Sequence, residues 1–334
     1  MAEVVQVMNV AHTPFCYSSL DWWEEQRNRR PIREDMPHES AEVNQQKYQR
    51  IQDAFTLLKK KLYDANIDTL VVFGDDQKEC FGFENFPTFS VYVGDEYEGY
   101  TSKADGNAPR DEHGHAIKNE KTWAKLKNNK PLAIDILRGL MERGFDPAFS
   151  MEMPKPERGL GHAFFRPAES LTNWEIPVVP VLLNCYYAPQ PTGERCVNLG
   201  AAVRQAIEAS DVKGRIAIIG SGGMWHTPSM KGAYIDEKFD NALIDAMVAG
   251  KAKEAGRIFD AYEIPEGDTS QAWREPGPQI TGMPGFGGPQ GGTREDCNHL
   301  AAAGAVDGKK GEKIDYIPVY ASPIGAAFSL WDKV

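Results

Sequence analysis

The segment Arg215–Pro228 constrains the fold of this chain more strongly than any other part of the sequence. It opens with the apolar run Ile216–Ile219, which has no polar alternation and is typical of a strand buried on both faces of a parallel sheet. The glycine-rich segment Gly220–Gly223 then ends the strand in a tight loop, and His226 follows. Ligands of open α/β sheets bind at the carboxyl ends of the strands, where a histidine can act as acid or base near neutral pH. The segment therefore predicts an α/β fold with its active site at that edge of the sheet.

Buried strands and amphipathic helices alternate along the rest of the chain. Apolar runs predict strands, the last of them near the C-terminus, over Val4–Val10, Asp68–Phe73, Phe89–Val93, Ile176–Leu183 and Tyr316–Val319. Helical spacing and capping residues predict helices over Ala41–Asn66, Pro131–Gly144, Pro191–Ala209, Tyr234–Lys251 and Thr293–Gly304. The segment Pro276–Gly292, rich in proline and glycine, is interpreted as an active-site loop. Because no internal repeat or linker interrupts this order, we predict one domain over residues 1–334, with a mostly parallel sheet flanked by helices.

The composition of the 334 residues argues against several classes of partner. The formal net charge of -11 argues against nucleic acid, because a phosphate backbone requires a basic face. No run of about 18 apolar residues is present to span a membrane, and the first residues lack the basic and apolar regions of a secretion signal. The five cysteines are scattered without a Cys-x-x-Cys pair, as is typical of reduced thiols. We therefore expect a cytoplasmic protein without nucleic-acid or membrane partners.

Polar residues that can carry chemistry follow several of the predicted strands. His12 comes directly after the first strand, where a ligand or catalytic role and a turn cap are equally open. The turn Gly74–Gln77 after the second strand contains two adjacent carboxylates, which are costly unless they are solvated or face a cation. They either are solvated in a turn or contact the ligands of a metal. His162 is a further histidine preceded by glycines.

Taken together, these motifs resemble one enzyme family. The sequence resembles the class III extradiol ring-cleavage dioxygenases, the superfamily of the protocatechuate 4,5-dioxygenase β subunit, on motifs in this chain order: His12, Gly74–Gln77, Gly161-His162, Gly222–His226, and Glu295 with Asn298. Each motif is short, so the specificity lies in their joint order and spacing. The resemblance spans nearly the whole chain and implies a single catalytic domain over residues 1–334.

The resemblance implies a mononuclear Fe(II) held by histidines and a glutamate, with open positions for a catechol-type substrate and O2. It makes His12 the first ligand and Glu295 the carboxylate ligand. It assigns His226 as the acid/base that takes the catechol proton, and His162 as the residue that orients the substrate or a leaving oxygen. The implied activity is a non-haem Fe(II)-dependent extradiol dioxygenase that cleaves a catechol- or gallate-type ring.

The departure from the family pattern is Gln77, since most members carry Asn-Asp-His after the second strand. An amide oxygen is a weaker iron ligand than imidazole, although hard cations accept it. Gln77 or its neighbour Asp76 still ligates the metal, or the chain belongs to a branch resembling 3-O-methylgallate dioxygenase in which this turn is normal, or the metal is lost. Because the other four site residues are all retained, we predict a metal held by His12, Gln77 and Glu295.

Two other functions are open at this point. One is a metal-independent hydrolase, lyase or decarboxylase with His226 as base, and the other is a non-catalytic subunit that stabilises an active partner. A homodimer is expected because symmetric dimers are the commonest soluble oligomers, and the family also includes members with a small second subunit. Four aromatic residues either contact the substrate ring or pack in the core: Trp22, Trp23, Trp225 and Phe164. Arg166 or Arg294 is a candidate for binding a substrate carboxylate.

Overall fold

The central strands of the sheet are built from apolar runs that never meet solvent. Leu70–Phe73, Val178–Leu183 and Ile216–Ile219 are buried throughout, because helices cover both faces of the strands that contain them. The structure, a computed structural model, describes residues 1–104, 109–112, 116–227, 230–268 and 288–334.

The described residues form ten strands and eight α-helices. The strands are β1 (Ala2–Val10), β2 (Thr69–Asp75), β3 (Phe89–Tyr92), β4 (Glu96–Tyr100), β5 (Trp123–Lys127), β6 (Ala148–Ser150), β7 (Val178–Leu183), β8 (Gly214–Ser221), β9 (Glu312–Val319) and β10 (Ile324–Asp332). The helices are α1 (Leu20–Arg29), α2 (Ala41–Asp64), α3 (Lys130–Glu142), α4 (His162–Pro167), α5 (Gly193–Glu208), α6 (Glu237–Val248), α7 (Ala252–Asp260) and α8 (Asp296–Gly304).

Eight of the described strands make one sheet in the order β6-β3-β7-β2-β8-β1-β10-β9, and β4 pairs with β5 in a separate hairpin. The central neighbours β7, β2, β8 and β1 run parallel to one another. On one flank β3 is antiparallel to β7, and on the other β10 is antiparallel to both β1 and β9. The predicted α/β class with a mostly parallel sheet is confirmed.

A separate hydrophobic core lies on each face of the sheet. One core packs α3, α5, α6, α7 and α8 against the strands, and Phe259 and Leu300 are among its buried residues. The other core contains α1, α2 and α4, and the buried residues of α2 recur at helical spacing from Ile51 to Leu62. No helix within the described ranges is long and apolar enough to cross a membrane.

Some element predictions were wrong at the C-terminal end. Tyr316–Val319 is not part of the final strand, because β10 follows β9 and enters the sheet between β9 and β1. The predicted helix Thr293–Gly304 begins later, since a 3-10 turn, Gly291–Glu295, precedes α8. Most of the predicted loop Pro276–Gly292 lies outside the described residues.

Candidate active site

The five residues singled out from the sequence line one cavity of about 200 Å³: His12, Gln77, His162, His226 and Glu295. They converge because the parallel strands β1, β2 and β8 are neighbours and end at the same edge of the sheet. Pockets for drug-sized ligands are about 300–1,000 Å³, so this smaller cavity suits a molecule with a single ring.

The tautomer of His12 follows from its contact with Ser221. The Ser221 hydroxyl donates its only hydrogen to the carbonyl oxygen of Ala163 at 2.7 Å. Its oxygen, 3.0 Å from His12 Nδ1, must therefore accept a hydrogen bond from that nitrogen. This places a hydrogen on Nδ1 of His12 and directs Nε2 toward the cavity, in the tautomer that a metal ligand requires.

Two carboxylates face His12 Nε2. Glu295 Oε2 lies 2.9 Å away and Asp75 Oδ1 lies 4.0 Å away, and all three side chains are buried. The close approach of Glu295 lacks hydrogen-bond geometry, and no other described residue offers Nε2 a hydrogen bond. One ligand atom from each residue lies within 4.8 Å of the other two. A buried nitrogen lone pair beside two carboxylates is unfavourable unless a cation or proton lies between them, so the donor set fits a divalent metal.

Gln77 and Asp76 are placed differently from each other. The amide nitrogen of Gln77 donates to Glu295 Oε1 at 3.0 Å and to Asp75 Oδ2 at 3.3 Å. The two oxygens of Asp76 instead accept hydrogen bonds, at 2.7 and 3.0 Å, from the backbone N–H groups four and five residues further along the chain. In this arrangement Asp75, rather than Asp76, is the second carboxylate at the centre.

Glu295 is held in place from several sides. The backbone N–H of Gly223 donates to its Oε2 at 2.8 Å, and the hydroxyl of Tyr186 donates to its Oε1. His226 Nε2 lies 3.3 Å from the same Oε1. A carboxylate with this many donors is oriented before any ligand arrives.

His226 is oriented through its other ring nitrogen. Nδ1 lies 2.8 Å from the carbonyl oxygen of Met224, which can only accept, so Nδ1 carries a hydrogen. The backbone N–H of His226 donates to Thr293 Oγ1 at 3.1 Å. Nε2 therefore faces Glu295 and the cavity, where it can exchange a proton with a bound molecule.

His162 pairs with a buried acid that the sequence did not single out. Its Nδ1 lies 2.7 Å from Glu79 Oε1, and its ring meets the His12 ring edge-on with 4.7 Å between centroids. Burial lowers the pKa of His162, but the charge and hydrogen bond of Glu79 outweigh burial and raise the pKa to about 9.

The buried charges at the centre shift one another's pKa values. Burial lowers the pKa of His12 and outweighs the opposing effect of Glu295. Burial alone raises the pKa of Glu295, but His226 and His12 outweigh it and hold that pKa well below its usual range. Burial, and then the charge of Glu295, raise the pKa of Asp75 well above its usual range. Without a cation, Asp75 therefore favours its protonated form more than an ordinary aspartate does, whereas Glu295 favours its ionised form.

The aromatic lining differs from the residues suggested by the sequence. Within the described residues it consists of Phe15, Tyr100 and Tyr186. Three of the suggested residues are instead buried in the hydrophobic cores: Trp23, Trp225 and Phe164. The fourth, Trp22, packs against Phe15 with 4.7 Å between ring centroids.

Only one of the two candidate arginines lines the cavity. Arg166 does so, together with Arg30. Arg294 instead donates to the backbone carbonyls of Pro191 and Pro289 at 2.6 and 3.2 Å. The sequence gives no signal for which of these two arginines faces the cavity, because that depends on the direction in which each side chain leaves its helix or turn.

Sequence reasoning missed the central place of Asp75 and the supporting roles of Ser221, Tyr186 and Glu79. The available signal was the density of polar residues after the second strand, where Asp75, Gln77 and Glu79 lie within five positions. Ser221 ends β8 and Tyr186 follows β7, so both lie at the strand edge where ligands bind.

Comparison with known proteins identifies relatives over part of the chain. The gallate dioxygenase of Pseudomonas putida is 30% identical over 122 residues, which cover 35% of this chain and 34% of that protein. The 2,3-dihydroxyphenylpropionate/2,3-dihydroxicinnamic acid 1,2-dioxygenase of Photorhabdus laumondii is 28% identical over 184 residues, 53% of this chain and 49% of that protein. The chain thus spans about a third to a half of the length of these curated relatives.

A solved structure of an uncharacterized protein from Escherichia coli K12 aligns with 98% of this chain and 99% of its own, at 10% identity and a TM-score of 0.43, which is too low to support an argument. The family model described as the catalytic LigB subunit of aromatic ring-opening dioxygenase matches residues 33–267. That range includes Gln77, His162 and His226. Because the match covers more than half of the chain, the protein belongs to the LigB family of aromatic ring-opening dioxygenases, and the resemblance drawn from the sequence is confirmed.

Proposed function

We propose that this protein is a non-haem Fe(II)-dependent extradiol dioxygenase that opens a catechol- or gallate-type ring with O2. The observation that carries the proposal is the buried donor set of His12, Asp75 and Glu295, two of which line a cavity sized for one ring. The names of the relatives, a gallate dioxygenase and a dihydroxyphenylpropionate dioxygenase, support this class of substrate.

His12 and Glu295 are the metal ligands in this proposal. The third ligand comes from the end of β2 or the residues just after it. Gln77 is the residue expected from the sequence, and Asp75 has an oxygen 4.0 Å from His12 Nε2. Gln77 ligates through its oxygen only after its amide rotates, because its nitrogen now faces the carboxylates. A bound Fe(II) would supply open positions for the substrate hydroxyl oxygens and for O2.

The protein side chains manage the proton and the substrate. His226 Nε2, with Nδ1 fixed by a backbone carbonyl, takes the proton of a substrate hydroxyl and later returns it. His162 lines the same cavity and orients the ring, and Phe15 contributes an apolar surface to the lining. The buried position of these groups limits the access of water to the reaction.

Metal content and oxygen uptake test the proposal. Protein purified without oxygen and loaded with Fe(II) should hold close to one iron per chain and consume O2 with a catechol or a gallate. His12→Ala should lose the iron, whereas His38→Ala, which removes an exposed histidine, should retain it. Asp75→Asn and Gln77→Ala, measured in the same way, identify the third ligand as the residue whose loss removes more iron.

Wild-type protein that binds no iron even after anaerobic loading would sink the proposal. The chain would then be a metal-independent enzyme or a non-catalytic subunit. Size measurement of the protein purified alone separates the expected homodimer from a chain that requires a small second subunit.

A further inference from the structure

Residues at the end of β2 and in the bends that follow it contact side chains that line the cavity. Gln77 Nε2 lies 3.3 Å from Asp75 Oδ2, and two residues further on Glu79 Oε1 lies 2.7 Å from His162 Nδ1. The intervening Asp76 turns away to accept backbone N–H groups. One short segment therefore contributes both to the proposed metal centre and to the support of His162, whose ring meets the His12 ring edge-on.

Glu79 holds the His162 ring through its oxygen Oε1. That atom accepts from Nδ1 of the ring, lies 3.4 Å from the backbone nitrogen of His162, and accepts from the hydroxyl of Tyr100. The Tyr100 ring also stacks on the imidazole, with 6.2 Å between centroids and 20° between planes. With Nδ1 engaged, Nε2 is the nitrogen that the ring can offer to a molecule in the cavity.

The surroundings of Glu79 leave little freedom for another arrangement. Its side chain is 5% exposed, and a Cβ atom at Gly161 would clash with its Oε2. A buried carboxylate is costly without a partner, so Glu79 and His162 depend on each other. A purely structural pair would stabilise the fold without acting on the bound substrate. Kinetic measurements on variants of Glu79 and His162 separate these two roles.

We infer that Glu79 is a positioning residue for ring cleavage, which holds His162 so that Nε2 meets the bound aromatic substrate. Tyr100 braces the same imidazole from its face. The inference rests on the proposed function, because it assigns Glu79 a role in binding the ring that this function requires.

Steady-state oxygen uptake with a catechol or gallate substrate tests the inference in the Fe(II)-loaded protein. Glu79→Gln keeps the size and one acceptor, and should raise KM for the aromatic substrate about 10-fold. Glu79→Ala should lower kcat/KM about 100-fold, the order of effect that a displacement near 1 Å produces. The KM for O2 and the iron content should stay at wild-type values in Glu79→Gln. Glu84→Gln, an exposed glutamate on the same connection, serves as the matched control.

A double-mutant comparison shows whether Glu79 acts through His162. In a His162→Ala background, Glu79→Gln should cause no further loss, whereas independent effects multiply. Unchanged kinetics in Glu79→Gln and Glu79→Ala, equal rises in both KM values, or a further loss in the His162→Ala background would each overturn the inference. No oxygen uptake by the wild-type protein would instead overturn the proposed function and the inference with it.

Discussion

Each histidine of the site has Nδ1 held by a protein acceptor, which leaves Nε2 for the cavity. The acceptors are a hydroxyl oxygen for His12, a carboxylate for His162 and a backbone carbonyl for His226. Because each acceptor determines which nitrogen carries the hydrogen, it also determines which chemistry the ring can perform. The three similar side chains thereby become suited to a metal ligand, a substrate contact and a proton acceptor.

Replacing Ser221 by Ala removes the acceptor for the His12 Nδ1 hydrogen. We expect the affinity for Fe(II) or Mn(II) to fall about 10- to 100-fold, as it does when other hydrogen bonds that support ligands are lost. Anaerobic competition with a chelating dye measures this affinity. Ser90→Ala, which alters a buried serine on β3, should leave it unchanged. Equal affinity in Ser221→Ala and wild type would mean that another contact determines the tautomer.

At the scale of elements, the glycines of the site serve close packing. A Cβ atom at Gly220 would clash with Asn9 and crowd the first turn of α8 at Asn298, and one at Gly222 would lie 2.9 Å from the carbonyl oxygen of Glu295. The segment before α8 thus reaches the end of β8 only because these positions lack side chains. The glycine-rich loop that predicted a ligand site from sequence brings the carboxylate of Glu295 to it.

Gly292→Ala tests this packing at His226, the proposed acid/base. A Cβ atom there would clash with His226 Nε2, so we expect His226 to move and kcat to fall about 100-fold, while iron binding is retained. Gly291→Ala is the matched control, because its Cβ atom would meet nothing within 4 Å, although its φ of 61° adds some strain. Oxygen uptake and iron content measure the outcome. Similar activity in the two variants would contradict the expected contact.

At the scale of the whole molecule, the site joins parts of the chain that are far apart in sequence. His12 follows β1, Asp75 ends β2 and Glu295 precedes α8. A metal bound among them would therefore link two of the four central strands to α8. A ligand that binds only the folded state stabilises it by mass action. Metal binding should therefore affect the unfolding of the entire domain.

Removal of the metal should lower Tm, and by more at neutral pH than near the ordinary pKa of an aspartate, about 4. A metal present at about 100 times its Kd contributes about 2.7 kcal/mol, or about 4 °C in a chain of this size. In the metal-free protein the raised pKa of Asp75 favours the protonated carboxyl group in the folded state. The free energy of unfolding therefore falls as pH rises above the pKa that Asp75 has in the unfolded chain. The bound metal removes this loss by pairing with the ionised carboxylate.

Thermal unfolding with and without a chelator measures the difference at each pH. His12→Ala serves as the control, since it should show no response to the chelator. The expectation fails if the chelator changes the wild-type Tm equally at both values of pH.

Local patterns in the sequence were sufficient for much of the fold and for the membership of the site. The apolar run Ile216–Ile219 records a strand buried on both faces, because it has no polar position. The apolar residues of α2 record a helix with one buried face, because they recur with the helical period. His12, His162 and His226 stood out because they follow strands or glycines, and the cavity brings them together with Gln77 and Glu295. Their roles remain predictions until the metal and the reaction are measured.

The sequence by itself determined the class of the fold and the edge of the sheet where the site lies, because burial and strand polarity are local properties. The order of the short motifs along the chain supplied the resemblance to the family. Only the tertiary structure decided that β10 enters between β9 and β1, that Asp75 rather than Asp76 faces His12, and that Glu79 supports His162. These outcomes depend on strand order and side-chain direction. Both are settled by contacts between residues far apart in the chain, which no local pattern records.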